Sequence, residues 1–407
     1  MTQGPLDGLR VLELAMWSFV PSAGVVLAEW GAEVVKVEPP EGGDKLRGLV
    51  VSGVGGSDSG LSFMFEVNNR GKRSVGIDVR HPEGLEVVLR LAEQSDVFLT
   101  SFLPEVRARL GVDVEVVQER NPQIVYAIGS GAGRTGPEAD RGGYDLSSYW
   151  ARTGLSAATT APCAQHPANL PVAGFGDLST GLVLAGAVSA ALVRREREGR
   201  GSVVDASLLG NGLWAAQTEV TATNLLGTDR FFKRERDEAS NPLNVPFLTA
   251  DGRHLQLVML EADRHWPDLC RRIGRPDLAE NPRFETMAAR REHLGECLAA
   301  LDEVFAGRTL GEWREALAGA TGVWAAVQSA REAAEDEQAR ANGYVRDVRS
   351  AGGEQYVSVS SPVRFDGEEP EHHAAPEHGA DTDAVLVEIL GMDLDELLGL
   401  KVAGAVL

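Results

Sequence analysis

Cysteine is scarce in this chain. Three occur in 407 residues, Cys163, Cys270 and Cys297, far apart and without the short paired spacings of a zinc or disulfide framework. A disulfide-stapled scaffold is thereby excluded, and a reducing cytoplasm is the simplest setting. Positive charge is also in deficit. Against 60 Asp and Glu stand 39 Lys and Arg, a formal net charge of −21. That balance argues against a nucleic-acid or anionic-membrane surface and leaves any anionic ligand to a local basic pocket. No run of about 18 apolar residues is free of charge or glycine, and "MTQGPLDGLRVLELA" has no basic head before an apolar core, so a soluble, unprocessed chain is expected. Familiar signatures are missing too. The first strand-to-helix turn lacks G-x-G-x-x-G, and "GSGAGRTG" lacks the Lys-Ser/Thr ending of a phosphate loop. The eight histidines show no H-E-x-x-H, and neither "GSGAG" nor "GDLSTG" forms a nucleophile elbow. Nicotinamide, flavin, nucleoside triphosphate, metal and serine-hydrolase chemistries all lose ground.

What is present is alternation of strand and helix. "RVLEL" (10–14) reads as a buried strand, "PSAGVVLAEWG" (21–31) as a helix opened by proline and closed by glycine, and "AEVVKVE" (32–38) as a second strand. Strands at 73–79, 96–101 and 123–130 and helices at 82–95 and 112–121 continue the pattern, which predicts an open, doubly wound parallel sheet. Ligands of such sheets lie beyond the carboxyl ends of the strands. Attention therefore falls on the loops "AMWSFVPSAG", "TSFLPEVRARLG" and "GSGAGRTGPEADRGGYD". The polar, charged stretch 227–242 fits a linker. A large domain with its linker is expected over 1–224, a small α+β domain over 225–325, and a last segment over 326–407.

"GFGDLSTG" (174–181) sets Asp177 among glycines just ahead of a long helical run. Aspartate is a preferred helix N-cap. The same place also suits a nucleophile, because a helix N-terminus holds a carboxylate ionised and glycines admit a bulky carbonyl. Position alone favours the cap. "GGYDLSSYW" (142–150) offers Tyr144 and Asp145, which equally read as a core aromatic and a cap. Arg80, Arg107 and Arg109 near the sheet edge suit phosphate as well as they suit solvent.

Taken together, "LDGLRVLEL…LAEWGAEVVKVEPPEGGD", "NNRGKRSVGIDVRHPEG", "NPQIVYAIGSGAGRTGPEADRGGYD" and "GFGDLSTG" resemble, in that order, the family III CoA-transferases, the superfamily of formyl-CoA transferase, carnitine CoA-transferase and α-methylacyl-CoA racemase. The likeness continues to the closing "PEHGADTDAVLVEILGMDLDELLGLKVAGAV". It implies an interlocked homodimer whose Rossmann-like large domain is built from both termini, with 326–407 returning to complete it. It implies Asp177 as the catalytic carboxylate, supported by Tyr144 and Asp145, forming an acyl anhydride and then an aspartyl-CoA thioester. Coenzyme A thioester is then a co-substrate, a carboxylic acid the acceptor, and no metal or other cofactor is needed. CoA contacts are implied at Ser18, Asp78, Arg80 and Tyr144, and at Ser101, Phe102 and Arg109. Trp17, Phe19, Tyr149 and Trp150 flank the expected acyl pocket and suit an apolar or aromatic acid.

The chain departs from the family pattern in several places. "SFVP" brings bulk to the first loop, Pro39 stands where many members have arginine, and "TSF" replaces the usual "ENF". Racemases of this superfamily carry histidine where Tyr144 stands, and tyrosine, with an ordinary pKa near 10, suits hydrogen bonding better than proton abstraction. Transfer is thus favoured over racemisation, and the alternatives kept are a racemase or epimerase and a non-catalytic acyl-CoA-binding homologue, the latter encouraged by the altered first loop. No glycine run occurs in "RDEASNPLNVPF", which disfavours oxalate and formate.

Overall fold

The computed structural model describes residues 4–49, 61–231, 235–369 and 371–407. Residues 232–234 of the stretch read as a linker, and residue 370, lie outside them. The described residues fall into two compact units. One comprises those of 1–160, 166–222 and 336–407, the other 161–165 and 223–335.

The first unit is built on six strands: β1 (Arg10–Leu14), β2 (Glu33–Glu38), β3 (Arg73–Gly76), β4 (Val97–Thr100), β5 (Val125–Ser130) and β6 (Ser202–Ser207). All pair in parallel, in the order β3-β2-β1-β4-β5-β6. The helices of this unit include α1 (Phe19–Glu29), α2 (Phe63–Asn69), α3 (Pro82–Glu93), α4 (Pro104–Leu110), α5 (Val114–Arg120), α6 (Leu155–Thr159), α7 (Phe175–Glu198) and α8 (Leu208–Ala215), and α9 (Gln217–Leu226) begins in this unit and ends in the second. Strand side chains alternate between faces. Val11, Val34, Val97 and Val125 meet α1 and α7 on one side, while Leu12, Val35, Phe98 and Tyr126 meet α3, α5 and the helix Thr382–Leu390 on the other. Both faces are covered, as a parallel sheet requires. α7 is long and apolar enough to cross a membrane by length and composition. Its buried face, Leu184, Ala185 and Val188, packs into the core shared with α1.

Two helices differ from the sequence expectation for physical reasons. α1 starts at Phe19, not at Pro21, so Pro21 is its third residue, where an amide would have no helical partner anyway. "PEVRARL", read as loop, is α4, with Pro104 at its first position and Gly111 closing it at φ +70°.

A buried ionic cluster lies under the carboxyl ends of β1 and β2. Their register sets Glu13 beside Lys36. Glu13 accepts from Lys36 Nζ at 3.0 Å and from Lys72 Nζ at 2.9 and 2.7 Å, and Lys36 also pairs with Asp44 at 2.8 Å. All four side chains are sealed from solvent in these pairs. The two ammonium groups reach the chain on either side of the first loop, Lys36 donating to the Ala15 carbonyl at 2.9 Å and Lys72 to that of Pro21 at 2.8 Å.

In the second unit β7 (Pro246–Leu248), β8 (His254–Val258) and β9 (Val323–Ala326) form an antiparallel sheet. Its core gathers Phe247, Leu255, Trp266, Phe305 and Trp313. In the first unit, a hairpin of Val345–Arg349 and Gln355–Val359 follows. The chain then returns to the large sheet, where Leu407 N–H donates to the Gly76 carbonyl and Val406 bridges Ile77.

Candidate active site

Strand order reverses between β1 and β4, so their following loops flank the natural crevice of the sheet. The loop after β1 is bound to the loop after β4 by Met16 N–H donating to Ser101 Oγ at 3.3 Å. Trp17 N–H reaches Asp44 Oδ1 at 3.4 Å. Between these ties Trp17 is held at φ +71°. For a bulky residue that left-handed conformation costs about 1–3 kcal/mol and persists only where the surroundings enforce it. The strain presents the indole edge-on to Tyr144, centroids 5.9 Å apart at 87°.

Asp177 is not a cap. Gly174, at φ +75°, is the N-cap of α7, which places Asp177 third in the helix. The capping carboxylate comes from elsewhere in the chain. Asp145 opens a π-helical turn, Asp145–Ala151, and both its oxygens accept the Gly176 N–H at 3.1 Å. The Asp177 amide also bonds to it. Single π turns concentrate at functional sites, and here the turn delivers a buried carboxylate to a helix N-terminus.

The glycines serve this contact. A Cβ on Gly176 would lie 2.3 Å from Tyr149 Cγ and 2.4 Å from Asp145 Oδ1, and one on Gly181 would lie 1.9 Å from Ser22 Oγ on α1. They admit neighbouring side chains and a neighbouring helix, a role the sequence reading had given to substrate. The turn is further tied by Thr180 Oγ1 donating to the Gly176 carbonyl at 2.6 Å and Asn211 Nδ2 donating to Thr180 Oγ1 at 2.9 Å.

Electrostatics also depart from expectation. Burial first, and the like charge of Asp145 second, push the Asp177 carboxyl up to about 7. Burial raises Asp145 as well, against the pull of the Gly176 and Asp177 amides. Asp177 is therefore divided between its two protonation states at neutral pH, where the helix terminus alone would have kept it ionised. A carboxylate of that basicity can act as a nucleophile or exchange a proton.

The remaining sequence candidates separate into two groups. Phe19, Tyr149 and Trp150 are only 8%, 4% and 4% exposed and pack into the core. Tyr149 packs with α1 and α7, and Trp150 Nε1 donates to the Ala168 carbonyl at 2.8 Å. Trp17 and Tyr144 remain open to solvent. Of the implied CoA contacts, Ser18 is buried beside Asn68 Nδ2 at 3.4 Å. Asp78 and Arg80 pair with each other at 2.9 Å. Ser101 is engaged with Met16, Phe102 is half-buried, and Arg109 lies exposed on α4. Arg107 is buried and donates to the Phe102 carbonyl at 2.5 Å, which braces that loop. Sequence reasoning missed the cluster of Glu13, Lys36, Lys72 and Asp44. The lysine inside "VVKVE", on an otherwise apolar strand, was the available signal.

Comparison with known proteins places this geometry. Residues 6–382 match CoA-transferase family III. The chain is 30% identical over 398 residues to the (R)-2-hydroxy-4-methylpentanoate CoA-transferase of Clostridioides difficile, covering 97% of this chain and 98% of that protein. It is 32% identical over 371 residues to the succinate–glutarate CoA-transferase of Agrobacterium fabrum, covering 88% and 89%. The crystal structure of a CAIB/BAIF family protein from Brucella suis superimposes with a TM-score of 0.79 at 29% identity, over 95% of this chain and 100% of that one.

Proposed function

Since the chain belongs to CoA-transferase family III, we propose that it moves coenzyme A from an acyl-CoA thioester to a carboxylic acid through covalent bonds to Asp177. That it is an enzyme, a CoA-transferase, follows from the family. The Asp177 carboxylate attacks the thioester carbonyl, forming a mixed anhydride and expelling CoA thiolate. The thiolate attacks the aspartyl carbonyl, releasing the donor acid and leaving an aspartyl-CoA thioester. An acceptor carboxylate attacks that thioester to give a second anhydride and thiolate. Attack of the thiolate on the acceptor's acyl carbonyl then yields the new acyl-CoA and frees Asp177. Thioester energy is kept in covalent bonds throughout, so the chemistry asks for no further cofactor. The observation that carries this reading is a basic carboxylate fixed at a helix N-terminus beside the crevice loops, with Asp145 as its positioning residue. CoA is assigned to the loops after β1, β3 and β4, with Arg80 and Arg109 facing its phosphates and Tyr144 beside the thioester.

The test combines mass and pH. Incubation with acyl-CoA should add an acyl or CoA group to the peptide containing Asp177, and an unmodified peptide in an active enzyme would refute the scheme. Because the ionised form attacks, kcat/KM should climb with pH about a midpoint near 7 and level off above it. Asp145→Asn removes the like charge, so its midpoint should move to lower pH; a profile flat from pH 5 to 9 in the parent enzyme would contradict the assignment.

Two copies are assigned to the working enzyme, interlocked as in the family. Every residue of α9 is at least partly exposed in the single chain, and Trp214, Leu225 and Leu226 are 70%, 82% and 57% exposed. Large apolar side chains left this open are the kind of surface that a second copy covers. Light scattering should return twice the 43.4 kDa chain mass, and a stable active monomer would remove this part. The cytoplasm is the assigned compartment.

A further inference from the structure

The acid that this enzyme accepts is the open question, and the surroundings of Asp177 bear on it. Three aromatic rings reach solvent there from three separate segments. Trp17 comes from the loop after β1, Tyr144 immediately precedes Asp145, and Phe175 is the first residue of α7, two before Asp177. They are 38%, 64% and 42% exposed. Phe175 is held edge-on by Tyr149 and Trp150, each 6.2 Å away. Trp17 is held in its left-handed conformation by Asp44 and by the tie to Ser101. Phe175 is thus braced from behind by two buried rings, and Trp17 is fixed through its backbone. The charged group acting on Asp177 is a second carboxylate, Asp145, whose oxygens are occupied by the Gly176 amide.

Resting on the transferase reading above, we infer that the acid site takes monocarboxylic acids with an aromatic or branched apolar tail and discriminates against dicarboxylic acids, with Trp17 as the residue that sets this preference. An apolar tail gains by covering the indole, phenol and phenyl faces. A second carboxylate would lose its hydration against those rings and would meet the field of Asp145. Trp17 stands out among the three because its backbone accepts strain in order to expose the ring.

The experiment measures kcat/KM of the full-length enzyme for five acceptors, 3-phenylpropanoate, 4-methylpentanoate, propanoate, succinate and glutarate, with one acyl-CoA donor. The first two should exceed succinate and glutarate by at least about 10-fold, the scale on which apolar pockets discriminate. In Trp17→Gly the preference for 3-phenylpropanoate over propanoate should shrink by about 10-fold or more. Its melting temperature should hold or rise, because glycine accepts the positive φ. Succinate or glutarate turned over as well as the apolar acids would overturn the inference. So would a Trp17→Gly enzyme that loses the same factor on every acceptor. Failure of the parent reading looks different: no acid of the panel receives CoA and no adduct forms on Asp177.

Discussion

Asp177→Asn is expected to lower CoA exchange by at least about 10^3-fold, the scale on which loss of a covalent nucleophile is felt, and to make the protein more stable above pH 7. The two effects have one cause. In the unfolded chain the Asp177 carboxyl titrates near 3.8, and in the fold it titrates near 7. Below about pH 4 the carboxyl is protonated in both states and contributes no difference. Between the two values the unfolded chain ionises first, so folding stability drains away as pH rises, and above 7 the whole penalty is present. Asparagine carries no charge and escapes it. Melting curves of parent and variant should coincide near pH 4 and separate progressively to pH 8, with the variant higher, while the variant's Asp177-containing peptide gains no mass from acyl-CoA. An Asp177→Asn enzyme with parental turnover would end the covalent scheme. Equal melting temperatures at pH 8 would show that the carboxyl is not strained by its setting.

Glu13→Gln carries the largest expected loss of stability, about 3–5 kcal/mol, as when one partner is removed from a buried ion cluster. Glu13 is fully buried and touches both Lys36 and Lys72. Glutamine keeps the shape but takes the carboxylate from Lys72 and leaves Lys36 paired with Asp44 alone. Burial, the largest cause, already lowers Lys72 to about 8 against the pull of Glu13. A lysine depressed in the fold from 10.5 costs stability at neutral pH, and that cost fades as pH rises from about 8 towards 10.5. The deficit of the variant should therefore be larger at pH 7 than at pH 10, as read from denaturant midpoints. A midpoint unchanged at pH 7 would mean that the cluster is not the support of the first loop.

The sheet was legible because its strands are short runs of β-branched residues punctuated by glycine, proline and helix caps. "VVLAEWGAEVVKVE" announces both its helix and its strand. α4 could have been read as well, since Pro104 and Gly111 bracket it in the usual asymmetry. Three features could not be read. The partner of the α7 N-terminus lies 31 residues away in Asp145, and nothing local to "GFGDLSTG" points there. The exposure of Trp17, beside buried Phe19, Tyr149 and Trp150, goes with a backbone angle at Trp17 that side-chain type does not encode. Lys36 gives a signal by its place among valines, but its partner Glu13 comes from the pairing of β1 with β2, and Lys72 joins from outside the strands.

The pairing of Asp145 with Asp177 bears on which form of the enzyme is at rest. Two ionised carboxylates at one helix end push against each other for as long as both are bare. In the proposed cycle the anhydride and the aspartyl-CoA thioester are both neutral at residue 177, so each bond made there cancels one charge and quiets the other. The unmodified protein is then the tense member of the cycle and the loaded protein the relaxed one. In that cycle the loaded form is expected to persist until an acceptor arrives, since relief of the repulsion favours it over the bare carboxylate.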